Sequence, residues 1–488
     1  MKHSFLAIDL GATSGRIALG TFTPYGFELE ELFRFPNHII EVGGHLYWDI
    51  YELYRHIIEG VKKVALRDEI VITSIGIDTW GLDFVCMGKD GAFLRQPYSY
   101  RDPHLFGASK AYFSKYDKNK VYQLTGIQVM DINTLCQLDT LRRHHDSALA
   151  VADKILFLPD ALVYMLTGKM VTEYTIATTA QLVNATTRQL EPQILETVGL
   201  TENNFARLVY PGETIGVLTE EVQRMTGLGP VPVIAVAEHD TASAVVAVPA
   251  SNSNFAYISS GTWSLMGIET NAPIINKSVE QMNFTNEGGV GGTIRLLKNI
   301  CGMWLLERCR SEWEDAAYSD LISEAKACEP FRSLVNPDDP IFTNPVDMEQ
   351  AIKDYCSEHH ECVPRTRGQI VRCIFESLVL RYRQVLGGLR NISPIPIEVL
   401  HIIGGGSRNE LLNQWTADAI DIPVIAGPTE ATVVGNIMVQ MIAAGVEKDI
   451  KSIRNIISNS TSLKTYYPND VKVWDDAYSH FVQLTMDK

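Results

Sequence analysis

The chain opens its first apolar segment with FLAIDLGATSGRIALGTF, residues 5–22. Apolar residues dominate positions 5–10 and 17–22, and the GATSGR between them is small, polar and carries two glycines. Two β-type runs joined by a short glycine-containing segment predict a β-hairpin. We therefore expect the fold to start with two antiparallel strands.

The same pattern returns about 250 residues later in FAYISSGTWSLMGI, residues 255–268. Aligning Gly11 with Gly261 also aligns Ser14 with Ser264. Each copy stands at the start of a half of roughly 240 residues, as an internal duplication requires. Two similar domains are the economical interpretation.

Chain length also favours two domains, because 488 residues exceed what one hydrophobic core usually supports. We assign residues 1–248 to the first domain and 249–488 to the second, with the polar stretch PASNSN at 249–254 as linker. Small ligands often bind between domains. The expected fold class is α/β, with two similar domains and an interdomain catalytic cleft.

Composition excludes several classes of protein. Hydrophobic residues make up 46% and charged residues 20%, as in ordinary folded proteins. The net charge of −16 argues against a nucleic-acid binder, which needs clustered Lys and Arg. The N-terminal apolar run is too short for a signal peptide, and the run after Thr432 is broken by Asn436 and Gln440. We expect a cytoplasmic protein without a membrane or nucleic-acid partner.

Eight cysteines occur without a CxxC pair, which is poor support for a zinc site or a redox dithiol. The cluster Cys356, His359, His360 and Cys362 fits no standard metal template. A contact between Cys356 and Cys373 is compatible with the spacing, and a reducing cytosol would keep both as thiols.

Local patterns give a coarse map of the rest of the chain. Residues 72–78 and 83–87 have strand character, and GKDG at 88–91 is turn chemistry that predicts another strand after it. Helical patterns dominate residues 110–166, and apolar residues recur at helical spacing over 370–379. Mixed strands and helices fit the α/β class.

The first hairpin turn, DLGATSGR at 9–16, has the composition of a phosphate-binding loop. Its small residues let the backbone approach a phosphate, Thr13 and Ser14 offer hydroxyl donors, and Arg16 adds a positive charge. Asp9 at the strand end suits a hydrated Mg²⁺. The alternative is an ordinary turn in which Asp9 binds backbone amides.

Two further loops carry glycine and hydroxyl side chains. Thr262 of SSGTWS, at 259–264, is placed to donate to a terminal phosphate. GGGSRN at 404–409 follows an apolar strand, 399–403, and precedes a helix starting near Glu410, which favours contact with a nucleotide. Purely structural turns are the alternative for both.

The common nucleotide-binding motifs fail on inspection. GxGxxG is broken because Gly404 and Gly406 are followed by Asn409 where a glycine belongs, and GxxxxGK[ST] is broken because Gly168 and Lys169 lead to Met170. Nucleotide binding therefore needs another architecture.

A candidate catalytic base follows the apolar strand at 231–237, which leads into EHDT and a run of small residues. A carboxylate at a strand end is suited to accept the proton of a substrate hydroxyl, and Asp240 holds that place. Phosphoryl transfer otherwise needs mainly positioning and charge stabilisation, so one carboxylate suffices. The alternative is that Asp240 only N-caps the following helix.

Taken together, these stretches resemble the FGGY carbohydrate kinases, which share the ribonuclease H-like, actin-like ATPase superfold with hexokinase and the heat-shock chaperones. The resemblance spans residues 5 to about 459. The stretches that carry it are DLGATSGR at 9–16, SIGIDTWGLDFV at 74–85, TGKMVTEYTIATTAQLVN at 167–184, AEHDTASAV at 237–245, YISSGTWSLMG at 257–267, TNEGGVGG at 285–292, LLKNICGMWLL at 296–306, IIGGGSRNELLNQ at 402–414 and IAGPTEATVVGNI at 425–437.

The resemblance is closest to the branch that acts on L-rhamnulose. It implies transfer of a phosphoryl group from MgATP to the 1-hydroxyl, giving L-rhamnulose 1-phosphate in L-rhamnose catabolism. A kinase for L-fuculose or L-ribulose is the nearest alternative, and a non-kinase actin-like ATPase is a more distant one. We expect a monomer or a weak homo-oligomer.

The resemblance also implies roles for individual residues. Its catalytic base is Asp240, and Asp9 holds Mg²⁺ through water. Its sugar-binding residues are Gly81, His239, Asp240, Thr241 and Asn299. Its nucleotide-binding residues are Ala12, Thr13, Ser14, Gly15, Arg16, Thr262, Glu307 and Gly405. Further sugar contacts, or else packing residues, are Asp78, Trp80, Asp83, Arg101 and Asp102.

Two departures from the family pattern stand out. Glu307 occupies a position where members of this branch can carry Gln. The NTLCQL at 133–138 lacks the Lys and Trp pair found near there in much of the family, which favours the L-rhamnulose branch over glycerol and xylulose kinases.

Overall fold

The computed structural model describes residues 2–23, 26–67, 69–314 and 316–486. They fall into two compact units, each assembled from separate stretches of chain. Unit 1 comprises Met1–Ala247, Glu269–Leu296 and Ala431–Ser460. Unit 2 comprises Val248–Ile268, Leu297–Glu430 and Thr461–Lys488.

The elements alternate along the whole chain, as expected for the α/β class. The strands are β1 His3–Leu10, β2 Ser14–Thr23, β3 Gly26–Pro36, β4 Ile39–Val42, β5 His45–Trp48, β6 Ile72–Thr79, β7 Phe84–Met87, β8 Lys154–Phe157, β9 Val171–Glu173, β10 Arg207–Val209, β11 Thr214–Val217, β12 Pro232–Ile234, β13 Phe255–Ser260, β14 Trp263–Thr270, β15 Thr285–Gly288, β16 Ile294–Cys301, β17 Val399–Ile403, β18 Val424–Ala426 and β19 Lys464–Tyr466.

The helices are α1 Ile50–Ala65, α2 Ala108–Phe113, α3 Lys118–Thr125, α4 Thr134–Arg143, α5 Ser147–Val151, α6 Leu158–Thr167, α7 Tyr174–Thr178, α8 Pro192–Thr197, α9 Glu220–Thr226, α10 Asp240–Val246, α11 Lys277–Gln281, α12 Trp304–Glu312, α13 Tyr318–Ala327, α14 Met348–Glu358, α15 Arg367–Ile392, α16 Glu410–Ile420, α17 Ala431–Ala443, α18 Ile450–Ser460 and α19 Val471–Met486. Among the helices of the described ranges, none is long and apolar enough to cross a bilayer.

The main sheet of unit 1 has the strand order β11–β12–β6–β1–β2–β3. β1 pairs antiparallel with β2 and parallel with β6, and β12 continues the sheet parallel to β6. β1 is buried along almost its whole length, which explains why its middle, residues 5–8, is a continuous apolar run rather than an alternating one. The predicted first hairpin is confirmed.

The sheet of unit 2 repeats this plan. β13 pairs antiparallel with β14 and parallel with β17, which is followed by the parallel β18 and the antiparallel β19. The second predicted hairpin is therefore confirmed, as are the strand before GGGSRN and the helix that starts at Glu410. The repeated strand order supports an internal duplication.

Two details of the sequence interpretation are wrong. No strand follows directly on the GKDG turn in residues 92–107, where isolated bridges join Met87 to Phe93 and Tyr47 to Tyr98. The strand predicted over 231–237 is shortened to β12, because the amide of Ala235 bonds to the carbonyl of Glu213 in a connecting segment instead. Helices dominate residues 110–166 as predicted, with the short strand β8 between α5 and α6.

Helix α17 belongs to unit 1 although its residues lie near the C-terminal end of the chain. A Cβ at Gly435 would lie 1.7 Å from the carbonyl oxygen of Ser243 in α10, so the two helices touch backbone to backbone. One turn further, Gln440 donates to the carbonyl of Leu6 in β1 over 3.1 Å and accepts a hydrogen bond from Ser74. These polar side chains anchor the helix to the sheet.

Candidate active site

Three carboxyl groups gather at one edge of the unit 1 sheet. Asp9 lies at the end of β1, Asp78 at the end of β6, and Asp240 directly after the segment that follows β12. The three strands are parallel, so their carboxyl ends meet at the same edge, where ligands bind in open α/β sheets. An isolated bridge from Thr79 to His239 holds the last segment in place.

The turn after β1 is tight and leaves its tip uncovered. The amide of Gly11 donates to the carbonyl of Ser14 over 2.9 Å, and Gly15 has no room for a Cβ because the ring of Phe35 would lie 2.3 Å from it. Within the described part of the chain, the amides of Ala12 and Thr13 form no hydrogen bond. Donors held in this way suit a phosphate group.

An ion pair spans this hairpin. Arg16 contacts the carboxylate of Asp9 at 2.7 Å, because the two residues are cross-strand partners in the β1–β2 ladder. Asp9 accepts from a side chain here rather than capping backbone amides, so the ordinary-turn alternative does not describe it.

Asp240 is the first residue of α10, and its carboxylate is held by one oxygen. Oδ1 accepts from the amide of Thr241 at 2.5 Å and from its hydroxyl at 3.0 Å, and Nε2 of His239 lies 3.5 Å away. Oδ2 accepts no hydrogen bond from the residues described. Burial raises the pKa of Asp240, the neighbouring His239 opposes that shift, and Asp9 adds to it.

The N-cap position of α10 is held by His239, so Asp240 is not the capping residue but the first residue of the helix. Its Oδ1 does accept from the amide of the second residue, Thr241. Its side chain remains 31% exposed at the sheet edge. A partly exposed carboxylate with one free oxygen can accept a proton from a hydroxyl group.

His239 connects this carboxylate to a buried ion pair that the sequence interpretation missed. Nδ1 of His239 lies 3.2 Å from Nη2 of Arg295 and 3.4 Å from Oε2 of Glu287, and these two side chains pair with each other at 3.0 Å. Burial alone would raise the pKa of Glu287, but Arg295 and His239 outweigh it and hold the pKa below its ordinary value.

Three wholly buried carboxyl groups lie behind the same segment: Asp160, Glu173 and Glu238. Glu173 accepts from the hydroxyl of Thr175 at 2.7 Å, and that hydroxyl accepts from the amide of His239 at 3.3 Å. Burial raises the pKa of all three acids, to about 7 for Glu173. The backbone before Asp240 therefore rests on groups that bind protons readily.

A further buried acid, Asp83, fixes the loop that carries Gly81. Oδ2 of Asp83 accepts from the indoles of Trp48 at 2.6 Å and Trp80 at 2.9 Å, and the intervening Leu82 has a φ of 82°. Burial raises the pKa of Asp83 to about 7, although these hydrogen bonds oppose the shift. Asp83 is a packing residue, while Gly81 stays half-buried beside the sheet edge.

In unit 2, the predicted nucleotide residues collect around the end of β13. The carbonyl of Thr262 accepts from the amide of Trp304, which starts α12, the helix of Glu307. Gly404 and Gly406 pack on Ser260, and a Cβ at Gly406 would lie 2.0 Å from its hydroxyl.

Exposure differs among these residues. Gly405 between the two packed glycines is exposed, Glu307 pairs with Arg310 at 2.9 Å, and Asn299 is half-buried on β16. Gly405 is thus the accessible glycine of its loop.

Within the described ranges, one group of His, Cys, Asp or Glu side chains has ligand atoms close enough to share a metal ion: His45, Asp102 and His104. Asp102 already accepts from the amides of Leu46 and His104 and contacts both imidazoles, so hydrogen bonding explains the cluster.

Among the cysteines, Cys356 and Cys373 are buried free thiols. Hydrogen bonding to Cys356 and burial raise the pKa of Cys373 well above its ordinary value.

Comparisons with known proteins agree on one family. Residues 4–247 match the N-terminal domain of the FGGY family of carbohydrate kinases, and residues 256–444 match its C-terminal domain. The chain is 68% identical to a rhamnulokinase of Bacteroides thetaiotaomicron over 99% of both chains. It is 42% identical to a rhamnulokinase of Bacillus subtilis over 96% of both.

Solved structures share the fold at low sequence identity. A gluconate kinase from Lactobacillus acidophilus superimposes with a TM-score of 0.83 at 15% identity, covering 99% of this chain and 98% of that one. A Plasmodium falciparum glycerol kinase with ADP gives a TM-score of 0.80 at 15% identity, covering 100% and 99%. The two-domain actin-like α/β fold expected from the sequence is confirmed.

Proposed function

The chain belongs to the FGGY family of carbohydrate kinases, and from that membership we propose that it phosphorylates L-rhamnulose at the 1-hydroxyl with ATP as donor. The substrate assignment rests on the 68% identity to a rhamnulokinase over 99% of both chains. The product would be L-rhamnulose 1-phosphate, in L-rhamnose catabolism.

Asp240 is the proposed base. Its Oδ1 is occupied by Thr241, which leaves Oδ2 to accept the proton of the sugar hydroxyl as the oxygen attacks the terminal phosphorus. The raised pKa of Asp240 supports this role, because a more basic carboxylate takes up that proton more readily. His239 and Thr241, which flank the base, would bind the sugar together with Gly81 and Asn299.

The nucleotide would be held by the turns at the ends of β1 and β13 and by the glycine loop after β17. The uncovered amides of Ala12 and Thr13 supply donors, and Arg16 adds charge. Ser14, Gly15, Thr262, Glu307 and Gly405 complete the proposed set. We retain the proposed division, with residues 1–248 carrying the sugar site and base and 249–488 the adenosine site.

Mg²⁺ would enter with ATP, and the acids at the sheet edge fit it. Carboxylate oxygens are the ligands that Mg²⁺ prefers, and Oδ1 of Asp78 is buried without a hydrogen-bond partner among the described residues. Asp9 at the strand end would hold the ion through water. When bound, the ion would offset negative charge on the transferred phosphoryl group.

The test is ADP release by the purified chain with L-rhamnulose, L-fuculose, L-ribulose, D-xylulose and glycerol. We expect kcat/KM to be highest for L-rhamnulose. A higher kcat/KM for another ketose would make that ketose the substrate. ATP turnover that does not depend on any added sugar would favour an actin-like ATPase. A cytoplasmic location and a monomeric or weakly associating state are part of the proposal.

A further inference from the structure

We infer that Glu287 and Arg295 are positioning residues that hold the imidazole of His239 against the catalytic carboxylate of Asp240. The inference rests on the proposed function, because it assigns the base to Asp240. It adds two residues to the site, one on β15 and one on β16, which lie more than 40 positions beyond the base in sequence.

The ion pair is unusually deep for two charged groups. The side chain of Arg295 is 1% exposed and that of Glu287 is 6% exposed. Taking such charges out of water costs several kcal/mol per ion unless pairing and hydrogen bonds compensate. Nε of Arg295 bonds to the carbonyl of Gly288 at 3.0 Å, and Nη2 serves Glu287 and His239 together. A buried pair that also contacts an active-site imidazole points to a functional role.

Proton positions follow from the donor chemistry. Nδ1 of His239 lies 3.2 Å from Nη2 of Arg295 and 3.4 Å from Oε2 of Glu287. A guanidinium group only donates, so in the shorter of these two contacts we assign Nδ1 as the acceptor. The proton of the neutral ring then sits on Nε2, which lies 3.5 Å from Oδ1 of Asp240. Glu287 keeps Arg295 in this orientation through the 3.0 Å contact.

The consequence for Asp240 is that the donors around it lie beside one carboxylate oxygen. Oδ1 accepts from the amide and the hydroxyl of Thr241, and Nε2 of His239 lies 3.5 Å from the same oxygen. Oδ2 is then the oxygen that stays basic and faces the substrate. Glu287 thus orients Arg295, Arg295 orients the imidazole, and the imidazole lies beside the reacting carboxylate, so the pair acts through supporting contacts rather than on the substrate.

The support under Glu287 is itself rigid. The amide of Gly288 donates to the hydroxyl of Thr178 in α7 over 2.9 Å, and a Cβ on Gly288 would lie 2.4 Å from the ring of Tyr174. β15 therefore packs closely on α7. The position of Glu287 is fixed by backbone contacts as well as by its own charge.

The primary experiment compares Glu287→Gln with the matched control Glu269→Gln. Glu269 also pairs with a guanidinium, that of Arg454, at 2.5 Å in unit 1, and the control pair does not include His239. We expect Glu287→Gln to lower kcat roughly 10- to 100-fold with the KM for ATP retained, as for residues that orient a catalytic ligand. The control should keep wild-type kcat and show a similar loss of Tm.

An unchanged kcat in Glu287→Gln would overturn the inference. A kcat loss of similar size in Glu269→Gln would overturn it as well. A second measurement needs no activity: ¹⁵N NMR of the imidazoles in the wild-type chain at pH 8, with His239→Gln used for assignment. A proton on Nε2 and a bare Nδ1 support the inference. The opposite tautomer refutes it, even where failure on the ketose panel has already refuted the proposed function.

Discussion

In the first hairpin, β1–β2, a salt bridge joins Asp9 and Arg16 across the strands, whereas the corresponding partners in β13–β14 are Ser259 and Leu265. Both hairpins belong to sheets in which the first hairpin strand also pairs with a parallel strand, β6 beside β1 and β17 beside β13. The backbone plan is therefore repeated, whereas the charged residues of the first hairpin are not. The proposed sugar and metal chemistry needs the charged copy, and phosphate contacts can come from the uncharged copy through hydroxyl and amide groups.

The largest expected effect on turnover concerns the acids at the start of α10 and just before α17, which follow β12 and β18. Asp240→Asn removes the proposed base after β12 and should lower kcat roughly 10²- to 10⁴-fold with ATP affinity retained. Glu430→Gln changes the acid just before α17, which follows β18, and should leave turnover near wild type. Steady-state kinetics checks both variants. Near-normal turnover in Asp240→Asn would show that Asp240 is not the base.

The next effect is expected at the hairpin charge itself. Asp9→Asn should lower kcat roughly 10- to 100-fold and raise the Mg²⁺ concentration needed for half-maximal rate, because it removes a carboxylate proposed to hold the ion. Ser259→Ala, at the matching place in the second hairpin, should change neither quantity. Mg²⁺ titrations of initial rates distinguish them, and an unaltered Mg²⁺ requirement in Asp9→Asn would contradict the assignment.

A smaller change is expected from the turn hydroxyls, which the two copies share. Thr13→Ala and Thr262→Ala should each raise the KM for ATP about fivefold, the effect of losing one hydrogen bond worth about 1 kcal/mol. The kcat for each variant should stay close to wild type. Measuring the KM for ATP in both variants shows whether both turns contact the phosphates. An effect in only one variant would contradict the prediction that the two turns contribute equally.

The last prediction concerns stability and pH rather than turnover. Burial raises the pKa of Glu173 from 4.5 to about 7, so between those values the folded chain keeps a proton that the unfolded chain releases. Stability therefore falls as pH rises through this window, by up to about 1.4 kcal/mol per pH unit for one group.

Glu173→Gln should reduce the dependence of the free energy of unfolding on pH by the contribution of about one proton. In unit 2, Glu376 also has a pKa raised to about 7 by burial, but Arg372 opposes the shift. Urea unfolding between pH 4.5 and 7 measures how the free energy of unfolding depends on pH in Glu173→Gln and in Glu376→Gln. An unchanged pH slope in the first variant would contradict the prediction.

Local pattern was sufficient for the hairpins, the strand and helix around GGGSRN, and the place of Asp240 at a sheet edge. It failed at the turn register. Leu10 pairs with Gly15 around four residues, whereas Ser260 pairs with Ser264 around three. Aligning Ser14 with Ser264 is therefore one residue out of structural register, because a turn can gain a residue without changing the pattern of its strands.

Long-range partners were also beyond reach of local pattern. Asn436 was visible only as an interruption of an apolar run, yet its amide donates to buried Asp78 at 2.6 Å. Arg295 carries no motif at all, and only the fold brings it to His239. Periodicity reports which face of an element is buried, but the partner of a buried polar group depends on packing between distant segments.

The crossing of α10 and α17 makes Gly435 a sensitive position. A methyl group there would meet a main-chain oxygen, which cannot rotate away as a side chain would. α17 would have to shift, and Asn436 would move off Asp78 with it. A random mutagenesis screen for cells that stop growing on the sugar should therefore recover substitutions at a residue that touches neither substrate.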